Sequence, residues 1–339
     1  MLSKVFIISV LALGILCGCS KDVGPENSGD KIVISAVVNG SKATRASIYK
    51  SEAGDLRKDI LHTIAYVDNA LYFSSDVKYQ DQALDESLHG WDFYDAGSSK
   101  YVDYFWPLGK SIDMFAYAPL YCGYVSVDNS ANPPAFTAIM PTTNSGQGTH
   151  QNNMKEFIYA YTPDREKTQG TIPLAFEHPF AAIMFKVSQS HRDLTVKNIS
   201  INEVAYKGKC TLEWSDDSKR YLPNWSFDGY NVLSLDINKI IPGEVNFGGE
   251  VGGPYLVLPQ GGGITGKQLS VTCHWEGYDD SNEVNADTKT LTATIPEIKW
   301  EAGKIYTYTL DLGNSREEIL FKVSVKPWEY VFNHEFEIE

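Results

Sequence analysis

From Thr63 to Val325 the chain repeats one pattern: short runs rich in β-branched and aromatic residues, broken by glycine, proline and asparagine. Such runs read as strands, because these side chains fit a pleated, half-buried surface. The first half holds Thr63–Val67, Leu71–Phe73, Tyr101–Trp106, Ser111–Ala118 and Phe157–Tyr161. The second restarts at Ile172–Val187. It continues with Thr195–Ala205, Cys210–Trp214, Asn231–Leu235, Pro254–Leu258, Leu269–Trp275, Thr290–Ile295, Ile305–Leu312 and Ile319–Val325. Helical periodicity is weak, and the best helical stretch, Leu235–Ile241, is short. Residues 119–156 carry many Pro, Asn, Gly and Thr and read as a long loop region. Antiparallel strands at this spacing predict an all-β sandwich architecture. A length of 339 residues has room for about two domains, and the fresh run of strands puts their boundary near residue 175, giving 31–175 and 176–339.

What precedes the strands bears on location. Lys4 and the apolar run Val5–Leu16 are shorter than the roughly 20 residues of a membrane span, so a signal peptide is favoured. Leu16-Cys17-Gly18-Cys19 resembles the bacterial lipoprotein signal, in which residues 1–18 are removed and Cys19 is lipidated and held to the membrane by its acyl chains. The alternative is an ordinary secretory signal with an incidental cysteine. Residues 19–30, polar with Gly, Pro and Asn, read as a flexible tether.

The inventory of chemistry is empty. A formal net charge of −14 without a basic block argues against nucleic acid as a partner. Cys122, Cys210 and Cys273 have no CxxC spacing and allow at most one disulfide. Glu177 and His178 are sequence neighbours, which places them on opposite faces of a strand, so His178 reads as structural. Asp279-Asp280 through Asp287 lacks the ligand spacing of a calcium loop. Gly261-Gly262-Gly263 lacks the helix and Lys-Ser/Thr of a phosphate loop, and no Gly-x-Ser-x-Gly occurs. Neither metal nor cofactor is expected, and the chain reads as a non-enzyme with a structural or binding role.

One stretch stands apart. Lys31–Val38 reads as the first strand, with Ile32, Ile34, Ala36 and Val38 on one face. Asn39-Gly40 is a turn signal, and Ala43-Thr44-Arg45-Ala46 is a small, polar segment that a protease can reach. One cut between Arg45 and Ala46 separates this strand from everything after it.

Several patterns in order resemble the fimbrillin family, the lipoprotein pilins of Gram-negative gut and oral anaerobes, and its Bacteroides-type branch in particular. They are the lipobox at Cys19, the early strand with Thr44-Arg45-Ala46, Tyr104-Phe-Trp-Pro-Leu with Ile112–Pro119, and Gly170–His178. Tyr255–Gln260, Trp300–Tyr308 and Val325-Lys-Pro-Trp328 complete them. The resemblance implies two tandem transthyretin-like β-sandwich domains and an outer-membrane lipid anchor. It also implies a trypsin-like cut after an arginine, which frees the first strand so that a neighbouring subunit's C-terminal segment fills the groove. Here Tyr330, Phe332, Phe336 and Ile338 alternate as a donor strand requires, with His334 breaking the series. The expected partners are other fimbrial subunits, in a homo- or hetero-polymer, and a host or bacterial surface glycan or protein. The rival reading is a surface lipoprotein that binds glycan without polymerising, stacking sugars on Trp91, Trp225 or Trp275.

Substituting Cys19→Ser should leave the precursor unlipidated and release the protein from membranes in a detergent-partitioning assay. A mutant that stays anchored contradicts the lipobox.

Overall fold

The computed structural model describes residues 27–38, 56–80, 90–144, 154–189, 193–243, 248–261, 263–275, 288–312 and 319–327. These are all-β, with 3-10 turns at Leu56–Lys58 and Lys167–Gln169. In chain order the strands begin with β1 (Asn27–Lys31), β2 (Ile34–Val38), β3 (Leu61–Val67), β4 (Ala70–Gln80), β5 (Gly90–Asp95), β6 (Lys100–Tyr101) and β7 (Phe105–Pro107). Next come β8 (Ile112–Ala118), β9 (Val125–Asp128), β10 (Ala135–Ile139), β11 (Ile158–Arg165), β12 (Ile172–Phe176) and β13 (Ala181–Gln189). The remainder are β14 (Leu194–Ser215), β15 (Arg220–Ile241), β16 (Gly249–Val257), β17 (Gln268–Trp275), β18 (Thr288–Thr294), β19 (Lys304–Asp311) and β20 (Leu320–Pro327).

The first large sheet runs β11-β8-β3-β4-β5-β2-β12, with β6 added on β5. Its outer strands meet. Tyr159 N donates to Glu177 O at 3.2 Å, and Glu177 N donates to Tyr159 O at 2.7 Å. The sheet therefore closes around a core that includes Ile32, Leu61, Phe93, Ile112, Met114, Ile172 and Phe176. Strands β3 and β8 are buried on both faces. Leu61, Ala65, Met114 and Ala116 enter this core, while Ile64, Tyr66 and Phe115 enter another. That double burial is why both strands are apolar with little alternation.

The second half stacks two sheets. One runs β18-β17-β14-β10-β9 with β15 on the other edge of β14, and the second runs β16-β13-β19-β20. Between them lie Ile183, Phe185, Val196, Ile199, Val271, Trp300 and Tyr308. The buried indole of Trp300 donates to the Tyr308 hydroxyl at 3.0 Å, which satisfies a polar group that burial would otherwise penalise.

Strands β14 and β15, 22 residues each, form one long antiparallel ribbon. Along one edge of β14, residues 194–201 pair with β17 and residues 207–210 pair with β10. The ribbon is bulged at several points, including Lys207/Gly208. Gly208 suits that kink, since a Cβ there would sit 2.8 Å from Ser226 O. Two stretches fold differently from what their sequence pattern predicts. Leu235–Ile241 is the end of strand β15, paired with Leu194–Ile199, rather than helix. Residues 119–156 are not one long loop, because β9 and β10 form a hairpin within them and extend the sheet of β14.

A third cluster joins the two halves. Ile64, Phe115, Phe136 and Tyr159 pack with Ala182, Cys210, Leu256 and Ile305. The β9–β10 hairpin is also clasped to the first sheet by Asn132. Its amide donates to Asp113 Oδ2 at 2.5 Å and to Asn69 Oδ1 at 3.1 Å, and its carbonyl oxygen accepts from Tyr161 at 2.9 Å. The Arg220 guanidinium pairs with Glu177 across the same junction. Cys122, Cys210 and Cys273 are all free thiols.

Phe136 is fully buried, with its ring centroid 5.1 Å from Phe157, 5.7 Å from Tyr159 and 5.6 Å from Trp225. Phe136→Ala should cost about 3–5 kcal/mol in urea unfolding. A loss below about 0.5 kcal/mol, within the range of ordinary surface substitutions, contradicts a central role for the third cluster.

Candidate functional site: the seat of the first strand

The stretch read from sequence as one strand, Lys31–Val38, spans parts of two: Lys31 ends β1, whose residues 27–30 lie in the stretch read as tether, and Ile34–Val38 form β2. Strand β1 pairs antiparallel with β7, and Lys31 lies opposite Phe105. Ile32 N then donates to Tyr104 O at 2.8 Å. At Val33 the partner changes, and Val33 O accepts from Ile172 N at 2.8 Å. Strand β2 continues parallel to β12 through five register pairs, from Ile34–Ile172 to Val38–Phe176. On its other side β2 meets β5 at a single register pair, Ile34–Trp91. The break at Ile32–Val33 is the chain passing from one sheet to the next.

Ile32 and Ile34 are 1% and 4% exposed, while Val33 between them is 50% exposed. Ala36 is half-buried against the same core. Val38 pairs through its backbone, and its side chain lies outside what the structure describes. Beneath the strand Phe73 stacks on Tyr104 at 3.9 Å, with Phe93 edge-on to both. A fully buried isoleucine contributes about 1.5–3 kcal/mol. Ile32 and Ile34 together therefore supply several kcal/mol of a domain's usual 5–15 kcal/mol. Were the strand to leave, β5 and β12 would present unpaired backbone groups above an open apolar floor, a template for another strand.

Charges mark where the strand enters. Lys31 Nζ lies 2.8 Å from Asp103 Oδ1 and 3.6 Å from Asp92 Oδ1. The hydrogen bond to Asp103 is the chief influence holding the Lys31 ammonium above its ordinary pKa. Gln80 donates to Asp92 Oδ2 at 2.5 Å, and Asp30 pairs with Lys167. No local motif flags Asp92 or Asp103, because only the fold brings them beside Lys31.

Cys19, Arg45, Ala46, Tyr330, Phe332, Phe336, Ile338 and the Asp279–Asp287 segment lie outside the described residues. The last described strand, β20, is an edge strand paired with β19. Phe321 and Val323 pack inward, and Leu320 and Val325 are exposed. Of the three tryptophans considered for sugar stacking, Trp275 is buried. Trp225 packs on Phe136, Phe180 and Phe227 and donates to Pro179 O at 3.1 Å. Trp91 meets Tyr79 edge-on and packs against the core beneath β2. Burial pushes the Cys122 thiol up to about 11 and that of Cys273 to about 12, which leaves both protonated at neutral pH. Among the described residues no three His, Cys, Asp or Glu side chains gather as a metal-binding group, and no helix is long and apolar enough to cross a membrane.

His178 and Glu177 turn to different partners. Glu177 meets Arg220, while His178 Nδ1 lies 2.6 Å from Oε1 of Glu156. Glu156 is 3% exposed, and its other oxygen has no hydrogen-bond partner. Burial raises the Glu156 pKa, and the nearby His178 partly offsets the rise.

A family model described as fimbrillin-like matches residues 25–328. No curated protein sequence matches at a significant level. Among solved structures, a fimbrial protein from Bacteroides vulgatus superposes with a TM-score of 0.54 at 14% identity, covering 88% of this chain and 99% of that one. A fimbrial assembly protein from Parabacteroides distasonis superposes with a TM-score of 0.41 at 11% identity, covering 87% of this chain and 99% of that one. The likeness to the first is one of fold.

The Glu156 pair sets a pH dependence. A carboxyl with a raised folded-state pKa binds more protons folded than unfolded, so its contribution to stability falls as pH rises from the ordinary carboxylate range through the raised value. Urea midpoints of the wild type should therefore drop relative to Glu156→Gln as pH rises above the ordinary value of 4.5. A difference between the two proteins that stays constant with pH contradicts this.

Proposed function

Because the chain belongs to the fimbrillin-like family, we propose that it is a structural subunit of surface fimbriae, a pilin or adhesin assembled by donor-strand exchange. In this reading Cys19 carries the lipid that holds the precursor on the outer membrane, and the two halves of the chain divide near residue 175, with the β9–β10 hairpin of the first half extending the sheet of β14. A protease cuts between Arg45 and Ala46. The segment carrying Ile32, Ile34, Ala36 and Val38 then departs from β5 and β12. A neighbouring subunit fills the seat, while Tyr330, Phe332, Phe336 and Ile338 of this chain serve as donor to another subunit. Its adhesion target is a host or bacterial surface glycan or protein.

The observation that carries the reading is the seating of Ile32 and Ile34. They are almost fully buried, yet their strand joins the rest of the fold through residues 39–55, which contain Arg45. A cut there leaves a core element held by non-covalent contacts alone. Strand replacement by β-addition then restores both the ladder and the apolar contacts.

Arg45→Ala should block processing at the cell surface and leave subunits monomeric, with residues 27–38 retained. Electron microscopy for filaments and mass spectrometry of the mature N-terminus read the two effects. An Arg45→Ala protein that polymerises like wild type rules out processing at this arginine as the trigger.

A further inference from the structure

We propose that the seat selects its strand by charge as well as by apolar alternation, and that it takes a strand from a different subunit, one carrying lysine or arginine at the register of Lys31. The proposal rests on the strand-exchange reading and narrows its partner. Lys31 joins two carboxylates from separate elements, Asp92 on β5 and Asp103 in the link between β6 and β7. The Asp92 side chain is 28% exposed and is further fixed by Gln80. When Lys31 leaves, two like charges face the place of one cation. An incoming ammonium or guanidinium restores the arrangement, and an incoming carboxylate meets repulsion from both. The same departure frees Lys167 from Asp30, so the seat reads an acid followed by a base.

The chain's own candidate donor does not answer that pattern. Glu329–Glu339 carries Glu329, Glu335, Glu337 and Glu339 and neither lysine nor arginine, within a chain of net charge −14. Its aromatic and aliphatic alternation suits an apolar slot, but its charge opposes this one. The acidic tail therefore donates to another kind of seat, and this seat accepts a strand with a base beside the first buried position. The assembly that follows is hetero-polymeric at this joint.

The test uses the full chain with a site-specific protease sequence in place of residues 42–47, cut and incubated with an excess of fluorescent peptide. Three peptides are compared by anisotropy: residues 27–38, the same peptide with Lys31→Glu, and residues 328–339. The first should bind. At low salt the Lys31→Glu peptide should bind about tenfold more weakly, because it loses two attractions and gains two repulsions, and the gap should shrink in high salt. The 328–339 peptide should also bind more weakly than the first. Asp92→Lys in the protein should restore binding of the Lys31→Glu peptide. If the Lys31→Glu or 328–339 peptide binds as tightly as the first, selection by charge is overturned while strand exchange stands. If no peptide binds, both fall.

Discussion

The parallel ladder between β2 and β12 holds the first sheet in its closed form. In the order β4-β5-β2-β12, strand β2 alone among the described residues joins β5 to β12, and β12 in turn meets β11 through the Tyr159–Glu177 bonds. Remove β2 and the ring has a gap one strand wide. The pairing is also lopsided, with five register pairs to β12 and one to β5. Just ahead of β2 lie the buried Ile32 and the ion-paired Lys31, and β2 itself adds the buried Ile34. Surface ion pairs contribute little on their own, so the apolar contacts of Ile32 and Ile34 set the strength of the seating.

The rest of the molecule limits the consequence of that gap. Strands β3 and β8 are buried on both faces, and their outer face belongs to the third cluster rather than to the core beneath β2. The β9–β10 hairpin crosses to the sheet of β14 and is clasped back by Asn132. The long β14–β15 ribbon reaches the same junction, where Arg220 meets Glu177. These contacts do not involve β2, so they brace the structure independently of the strand.

Local pattern made much of this visible. The alternation of Ile32, Ile34 and Ala36 and the apolar runs of β3, β8, β17 and β19 are properties of single stretches, and each can be read without knowing its partner. What escaped reading depends on partners distant in sequence. Strand β10 is five residues long beside Pro133-Pro134, and its mate at residues 207–210 is some seventy positions away. Leu235–Ile241 has helical spacing by coincidence, and pairing with β14 overrides it. The break at Val33 follows from which strands lie on either side, information that no alternation contains. Asp92, Asp103 and Glu156 are ordinary carboxylates in sequence and acquire meaning only from Lys31 and His178. Arg45 stands out in the sequence by its small, polar surroundings and Tyr330 by alternation, and both lie outside the described residues.

The central claim is that β2 is a removable core strand whose absence opens the edge of β12. Amide hydrogen exchange tests it directly, since exchange reports opening of individual backbone bonds. In the intact chain Ile172 N is bonded to Val33 O and should exchange slowly along with its neighbours in β12. After the chain is cut and residues 27–38 are removed, exchange at Ile172, Leu174 and Phe176 should accelerate, while exchange in β17 and β19 stays unchanged. Adding back a strand peptide should restore protection. Unchanged protection of β12 after removal, or a collapse of protection throughout the chain, would contradict the account.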